Sequence, residues 1–140
     1  MKNRREFLKR SAFITSGLVV SAPLLAKSES INGQNINAPG IIFTEESQAG
    51  WDGKAGSHVP KVTVNGNKVT LLTEHGMSEA HFIVRHTLVD EAGTMIGAKT
   101  FSGTDEKAES TFELPTGFAG KLYATSFCNK HDFWLKEFSV

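Results

Sequence analysis

The sequence predicts an all-β protein, an antiparallel β-sandwich, and three observations predict it. Short apolar runs alternate with polar residues from about His58 to the C-terminal end. Turn residues separate these runs at short, regular intervals. No segment carries the long 3.6-residue apolar period of an amphipathic helix. With 140 residues, 39% of them apolar and 21% charged, the chain suits one globular domain with a real core.

The elements follow in order. Residues 1–26 read as an export signal. "MKNRREFLKR" is basic, and "SAFITSGLVVSAPLLA" is apolar but broken by Ser, Gly and Pro23. That run is shorter than the ~20 apolar residues a spanning helix needs. Cleavage is expected after Ala26. Arg4-Arg5 followed by Glu6-Phe7-Leu8-Lys9 resembles a twin-arginine motif, a route that carries folded, cofactor-loaded proteins to the periplasm. Residues 27–50 are polar and Gly/Asn-rich, a linker or N-terminal extension with one short segment around Ile41–Phe43. Residues 51–140 form the expected domain. "KVTVNGNKVTLL" predicts a hairpin turning at Asn65-Gly66-Asn67, with Val62 and Val64 alternating before the turn and Val69 and Leu71 after it. "HFIVRHTLVDEAGTMIGAKTF" predicts a second hairpin turning near Asp90–Gly93, and "STFELP" and "GKLYATSFC" two further strands.

Formal net charge is zero, but residues 1–26 hold five of the fifteen Lys/Arg and one of the fifteen Asp/Glu. The remainder carries ten basic and fourteen acidic residues, a balance that argues against nucleic acid as a partner.

The chemistry-bearing residues are five histidines and one cysteine. A lone cysteine makes no internal disulfide, and in an oxidising compartment it is inert, paired between chains, or a ligand. His75 and His81 bracket a glycine-containing loop, His58 precedes Val59-Pro60, and Cys128 and His131 form C-x-x-H, a spacing that lets both bind one ion from a turn. Imidazole and thiolate together suit Fe, Cu or Zn. His86 stands apart. It is five residues from His81, in step with Phe82, Val84 and Leu88, and is expected to be a core or edge histidine.

"SHVPKV", "EHGMSEAHFI" and "FCNKHDFWLK" together resemble the iron-ligand segments of the superoxide reductases, the desulfoferrodoxin/neelaredoxin family. The resemblance covers about residues 51–140. It implies an immunoglobulin-like sandwich of about seven strands holding one mononuclear non-haem iron, with His58, His75, His81 and His131 as equatorial ligands and Cys128 as the axial one. It implies one-electron reduction of superoxide to hydrogen peroxide, fed by an external electron donor, rubredoxin-like or another periplasmic carrier, and a homo-oligomer. A single cysteine leaves no second, four-cysteine iron site, so the chain resembles the one-iron class. Asn129 is expected to tune the sulfur.

The chain departs from the family pattern at Gly56-Ser57, where the family has Glu-Lys, at Gly76 in place of Pro, and at Asp132 in place of Gly. Lys54, Lys61 and Lys130 are the expected substitutes for the lysine, and Glu74 or Glu79 for the carboxylate. A blue-copper carrier fits less well, because no methionine follows His131 and four histidines are too many. The other reading is a non-catalytic iron-binding, redox-sensing or electron-transfer sandwich.

Overall fold

A computed structural model describes residues 38–140; the predicted signal and the first eleven residues of the linker lie outside the described residues. The chain forms β1 (Ile42–Phe43), one helical turn α1 (Ala55–His58), β2 (Lys61–Asn65), β3 (Lys68–Thr73), β4 (Ile83–Asp90), β5 (Met95–Thr100), β6 (Ala108–Glu113), β7 (Lys121–Cys128) and β8 (Asp132–Ser139). These eight strands make a five-stranded sheet in the order β1-β8-β7-β4-β5 and a three-stranded sheet in the order β2-β3-β6. The all-β prediction holds. Every pairing is antiparallel except that of β1 with β8, which joins Ile42 to Phe133 and Phe43 to Trp134.

Both predicted hairpins are present. Gly66, at φ 60°, makes the β2–β3 turn that pairs Asn65 with Lys68. Asp90 Oδ1 accepts the N–H groups of Ala92 and Thr94 and closes the β4–β5 turn. The core between the sheets takes Val69 and Leu71 from β3, Leu88 from β4, and Leu122 and Ala124 from β7. β7 alternates strictly: Leu122, Ala124, Ser126 and Cys128 are all buried. The cysteine is therefore the last core-facing residue of a central strand.

His86 lies wholly in this core, as a histidine in step with Leu88 should. It falls out of step with Val84 because the β4–β7 register shifts between Ile83 and Arg85, which turns Ile83 inward. Its Nε2 lies 2.8 Å from Thr73 Oγ1 and its Nδ1 2.9 Å from Ser110 Oγ. The Thr73 hydroxyl donates to Ser126 Oγ at 3.1 Å. Thr73 has a single hydrogen, so Nε2–H must donate to Thr73 and Nδ1 must accept from Ser110. Four polar groups, two from each sheet, are thus satisfied across the sandwich.

Burial first, and the nearby Lys99 charge second, lower the His86 pKa from 6.5 to about 4. The folded value lies below the unfolded one. This stabilisation is full above pH 6.5 and is lost as pH falls towards 4, an expected total of about 3 kcal/mol. Denaturant titrations between pH 7 and 4 should show a steeper loss of stability for the wild type than for His86→Gln. Equal slopes would remove His86 as the cause.

Candidate metal centre

Five side chains converge at one end of the sandwich: His58, His75, His81, Cys128 and His131, with their donor atoms all within 4.8 Å of one another. Each is held by local geometry that its own segment supplies.

His58 ends the single turn α1, which stops as the chain turns extended at Val59, ahead of Pro60. Its Nδ1–H donates to the Lys54 carbonyl at 2.9 Å, aiming Nε2 at the other rings. Ser57 Oγ lies 2.9 Å from the same Nδ1 and donates to the same carbonyl. His75 leaves β3 through a tight turn in which its N–H bonds the Thr73 carbonyl at 2.8 Å. Paired backbone bonds between Ser78 and His81, at 3.0 and 3.1 Å, return the loop to the site. Gly103 supports that loop from beneath. A Cβ there would lie 2.5 Å from the Ser78 oxygen and the Glu79 Cα, so only glycine allows the approach. His131 lies in the β7–β8 hairpin turn, and its carbonyl accepts the indole N–H of Trp134 at 2.7 Å. Trp134 is fully buried, with its ring 5.3 Å from that of His58.

Among the described residues Asn129 makes no hydrogen bond to the sulfur, contrary to the expectation from sequence. Its Oδ1 accepts the Phe82 N–H at 3.0 Å, its Nδ2 donates to the Ala80 carbonyl at 3.2 Å, and its own N–H donates to the Phe82 carbonyl at 3.2 Å. It ties the His81 loop to the Cys128–His131 turn.

The donor geometry tests the fit to a metal. His58 Nε2 lies 3.0 Å from His131 Nδ1, His131 Nδ1 lies 3.1 Å from His81 Nε2, and His81 Nε2 lies 3.1 Å from His75 Nε2. Neighbouring ring centroids stand 4.5 to 4.8 Å apart, and the diagonal pair His58–His81 stands 6.4 Å apart. The nitrogens therefore describe a square in the order His58, His131, His81, His75. Imidazoles bound at right angles to one ion at about 2.1 Å would place adjacent nitrogens about 3.0 Å apart. Cys128 Sγ lies 3.3 Å from His81, 3.6 Å from His131 and 3.9 Å from His75. The sulfur and His58 are buried, whereas His75, His81 and His131 are part-exposed, so solvent reaches the set from the side of the rings.

Electrostatics agree with a metal site. Burial is the largest cause lowering the pKa of all four histidines, and it takes His58 to about 4. The neighbouring imidazoles push three of them further down. At neutral pH the four rings are uncharged and their lone pairs are available to an ion. His75 Nδ1 is buried with no hydrogen-bond partner; the Gly76 backbone, though close enough to favour the charged ring, does not bond it.

The three lysines differ. Lys54 and Lys130 both lower the pKa of His81 and His131, so their positive charge reaches the ring side of the site. Neither forms an ion pair among the described residues. Lys61 is bound to Glu74 at 2.5 Å, which occupies both that lysine and one of the two glutamates expected to stand in for the missing carboxylate. Asp132, the residue in place of the family's glycine, sits at φ 64°, a conformation costing a non-glycine residue on the order of 1 kcal/mol. Its Oδ2 accepts the indole N–H of Trp51 at 3.2 Å. No motif or spacing points to Trp51, since nothing links residues 81 apart except the fold.

A β-sandwich carrying four imidazoles and one cysteine sulfur at one end has a donor set able to hold a single metal ion. The model of the desulfoferrodoxin family matches residues 50–137, and the chain belongs to that family. Its fold is similar to that of the superoxide reductase (neelaredoxin) from Ignicoccus hospitalis, at 27% identity and TM-score 0.59 over 71% of this chain and 93% of that one. It is also similar to the superoxide reductase from Treponema pallidum, at 27% identity and TM-score 0.50 over 60% of this chain and 67% of that one. The superoxide reductase (1Fe-SOR) from Giardia intestinalis, at 22% identity and TM-score 0.53 over 60% and 98%, shares the fold. No curated protein matches the chain.

Proposed function

We propose that this protein is a one-iron superoxide reductase. It takes one superoxide, one electron from an external donor and two protons, and releases hydrogen peroxide. The observation that carries the reading is the convergence of four neutral imidazole nitrogens and one sulfur on a single point, open to solvent on the ring side. Iron held by His58, His75, His81, His131 and Cys128 would supply the one-electron redox change, and the cysteine sulfur as a thiolate ligand would raise its electron density. The protein holds the ring nitrogens in place through Lys54, Asn129 and Trp134, and keeps the sulfur buried among Ile83, Phe101 and Ala108.

Gly56-Ser57 supports a second reading, an iron-binding redox sensor without catalysis. The Ser57 hydroxyl turns back to the Lys54 carbonyl and brings no charge to the site. Superoxide consumption in the presence of a reductant separates the two readings.

The charge to attract an anionic substrate falls in this account to Lys54 and Lys130. Lys54→Met and Lys130→Met should each slow the reaction with superoxide a few-fold and flatten its salt dependence, since steering of this kind contributes roughly 10- to 1000-fold in favourable cases. Lys61→Met should leave the rate unchanged. A silent pair of variants, with a wild-type rate already insensitive to salt, would show that no lysine steers the substrate.

The proposal includes residues 51–140 as the reductase domain and residues 1–26 as a twin-arginine signal. It also includes a periplasmic location, a rubredoxin-like or other periplasmic electron donor, and a homo-oligomeric assembly. Fractionation of cells expressing the wild type and an Arg4→Lys/Arg5→Lys variant tests the location.

A further inference from the structure

We propose that Asp132 is a positioning residue for the metal centre, acting through Trp51 on His131; this rests on the reading of the five donors as an iron site. Asp132 is the one non-glycine residue at positive φ among the described residues. Glycine would sit there without strain, yet the aspartate side chain is in use, because its Oδ2 holds the indole N–H of Trp51 at 3.2 Å. The Trp51 ring then stands edge-on to His131, with centroids 4.7 Å apart and planes at 81°.

His131 needs this support. A metal-ligating histidine ordinarily donates its outer ring N–H to a carboxylate, carbonyl or water, which fixes the ring plane. Nδ1 of His131 faces the other donors, and its Nε2 has no protein hydrogen-bond partner among the described residues. Trp51 is what bears on the ring instead. The same residue reaches the support of the neighbouring corner of the site, His58. Its carbonyl accepts the Lys54 N–H at 3.0 Å, and the Lys54 carbonyl accepts the His58 Nδ1–H at 2.9 Å. One exposed bond therefore joins the segment that orients His58 to the turn that carries His131.

The test uses Asp132→Gly, Asp132→Asn and Trp51→Phe in the full chain. Iodide quenching of tryptophan emission is read on metal-free protein. Thermal melting, iron release to a chelator and reduction potential are read on the iron-loaded form. Trp134 is fully buried, so any gain in quenching reports Trp51.

Asp132→Gly should melt no lower than the wild type. It should nevertheless gain quenchable emission, lose iron about tenfold faster and shift in potential. Asp132→Asn, which tolerates the left-handed conformation and keeps an oxygen acceptor, should restore wild-type behaviour. Trp51→Phe, which keeps a ring but loses the N–H, should follow Asp132→Gly in iron release and potential. Wild-type quenching in Asp132→Gly would overturn the proposal, and so would an Asp132→Asn variant that behaves like Asp132→Gly. If no variant, nor the wild type, takes up iron, the iron reading fails, and the quenching on metal-free protein still decides whether Asp132 holds Trp51.

Discussion

Cys128→Ser should abolish superoxide reduction and bleach the visible thiolate-to-iron charge-transfer band of the oxidised protein. The sulfur is the only soft donor in the set, lying 3.3 to 3.9 Å from three of the imidazole nitrogens, and a serine hydroxyl supplies neither its charge donation nor its optical transition. Some iron should remain, because the four nitrogens are still in place. The substitution also removes packing against Ile83, Phe101, Ala108 and Met77, a stability loss on the order of 1 kcal/mol. That loss alone would leave the spectrum intact, so the optical readout separates a ligand role from a packing role. An unchanged spectrum would rule out Cys128 as a ligand.

The second large effect divides the histidines into four and one. Alanine at His58, His75, His81 or His131 should weaken iron binding by more than the roughly 10- to 100-fold typical of losing an outer partner, since each removes a bond to the metal itself. His86→Ala should keep its iron and lose stability instead. It leaves the Thr73 and Ser110 hydroxyls short of a partner and opens a cavity, a cost of about 3 kcal/mol. Iron analysis and denaturant melts on the same five variants read both effects. Full iron content in His75→Ala, or iron loss specific to His86→Ala, would show that the ligand set is wrong.

Much of the fold was legible because period-2 burial and turn chemistry are local. Gly66 and Asp90 mark their hairpins, and β7 alternates without a break up to Cys128. β8 was not legible as a strand. Trp134 and Leu135 are adjacent and both buried, so the alternation fails where the motif residues lie. The turn α1 is four residues long, too short to leave a periodic signal. The core position of His86 was readable from its step with Leu88, but the register shift after Ile83 was not.

The site divides the same way. The types and spacings of its residues are written in short segments, C-x-x-H and the six-residue step from His75 to His81. Their convergence is not. His58 and His131 are 73 residues apart, and only the packing of α1 and of the β7–β8 turn around Trp134 brings their nitrogens to 3.0 Å. The choice among the lysines also needed three dimensions, because the pairing of Lys61 with Glu74 is a contact across the β3 end that no spacing reveals.

Metal analysis followed by a superoxide pulse on the ferrous protein decides whether the five donors form a one-iron superoxide reductase site. The purified protein should hold about one iron per chain. Superoxide should disappear as the ferrous form is oxidised, the charge-transfer band should appear, and hydrogen peroxide should form without dioxygen. A protein that binds copper or zinc in place of iron, or a ferrous form that leaves the pulse to decay at its uncatalysed rate, would contradict that reading.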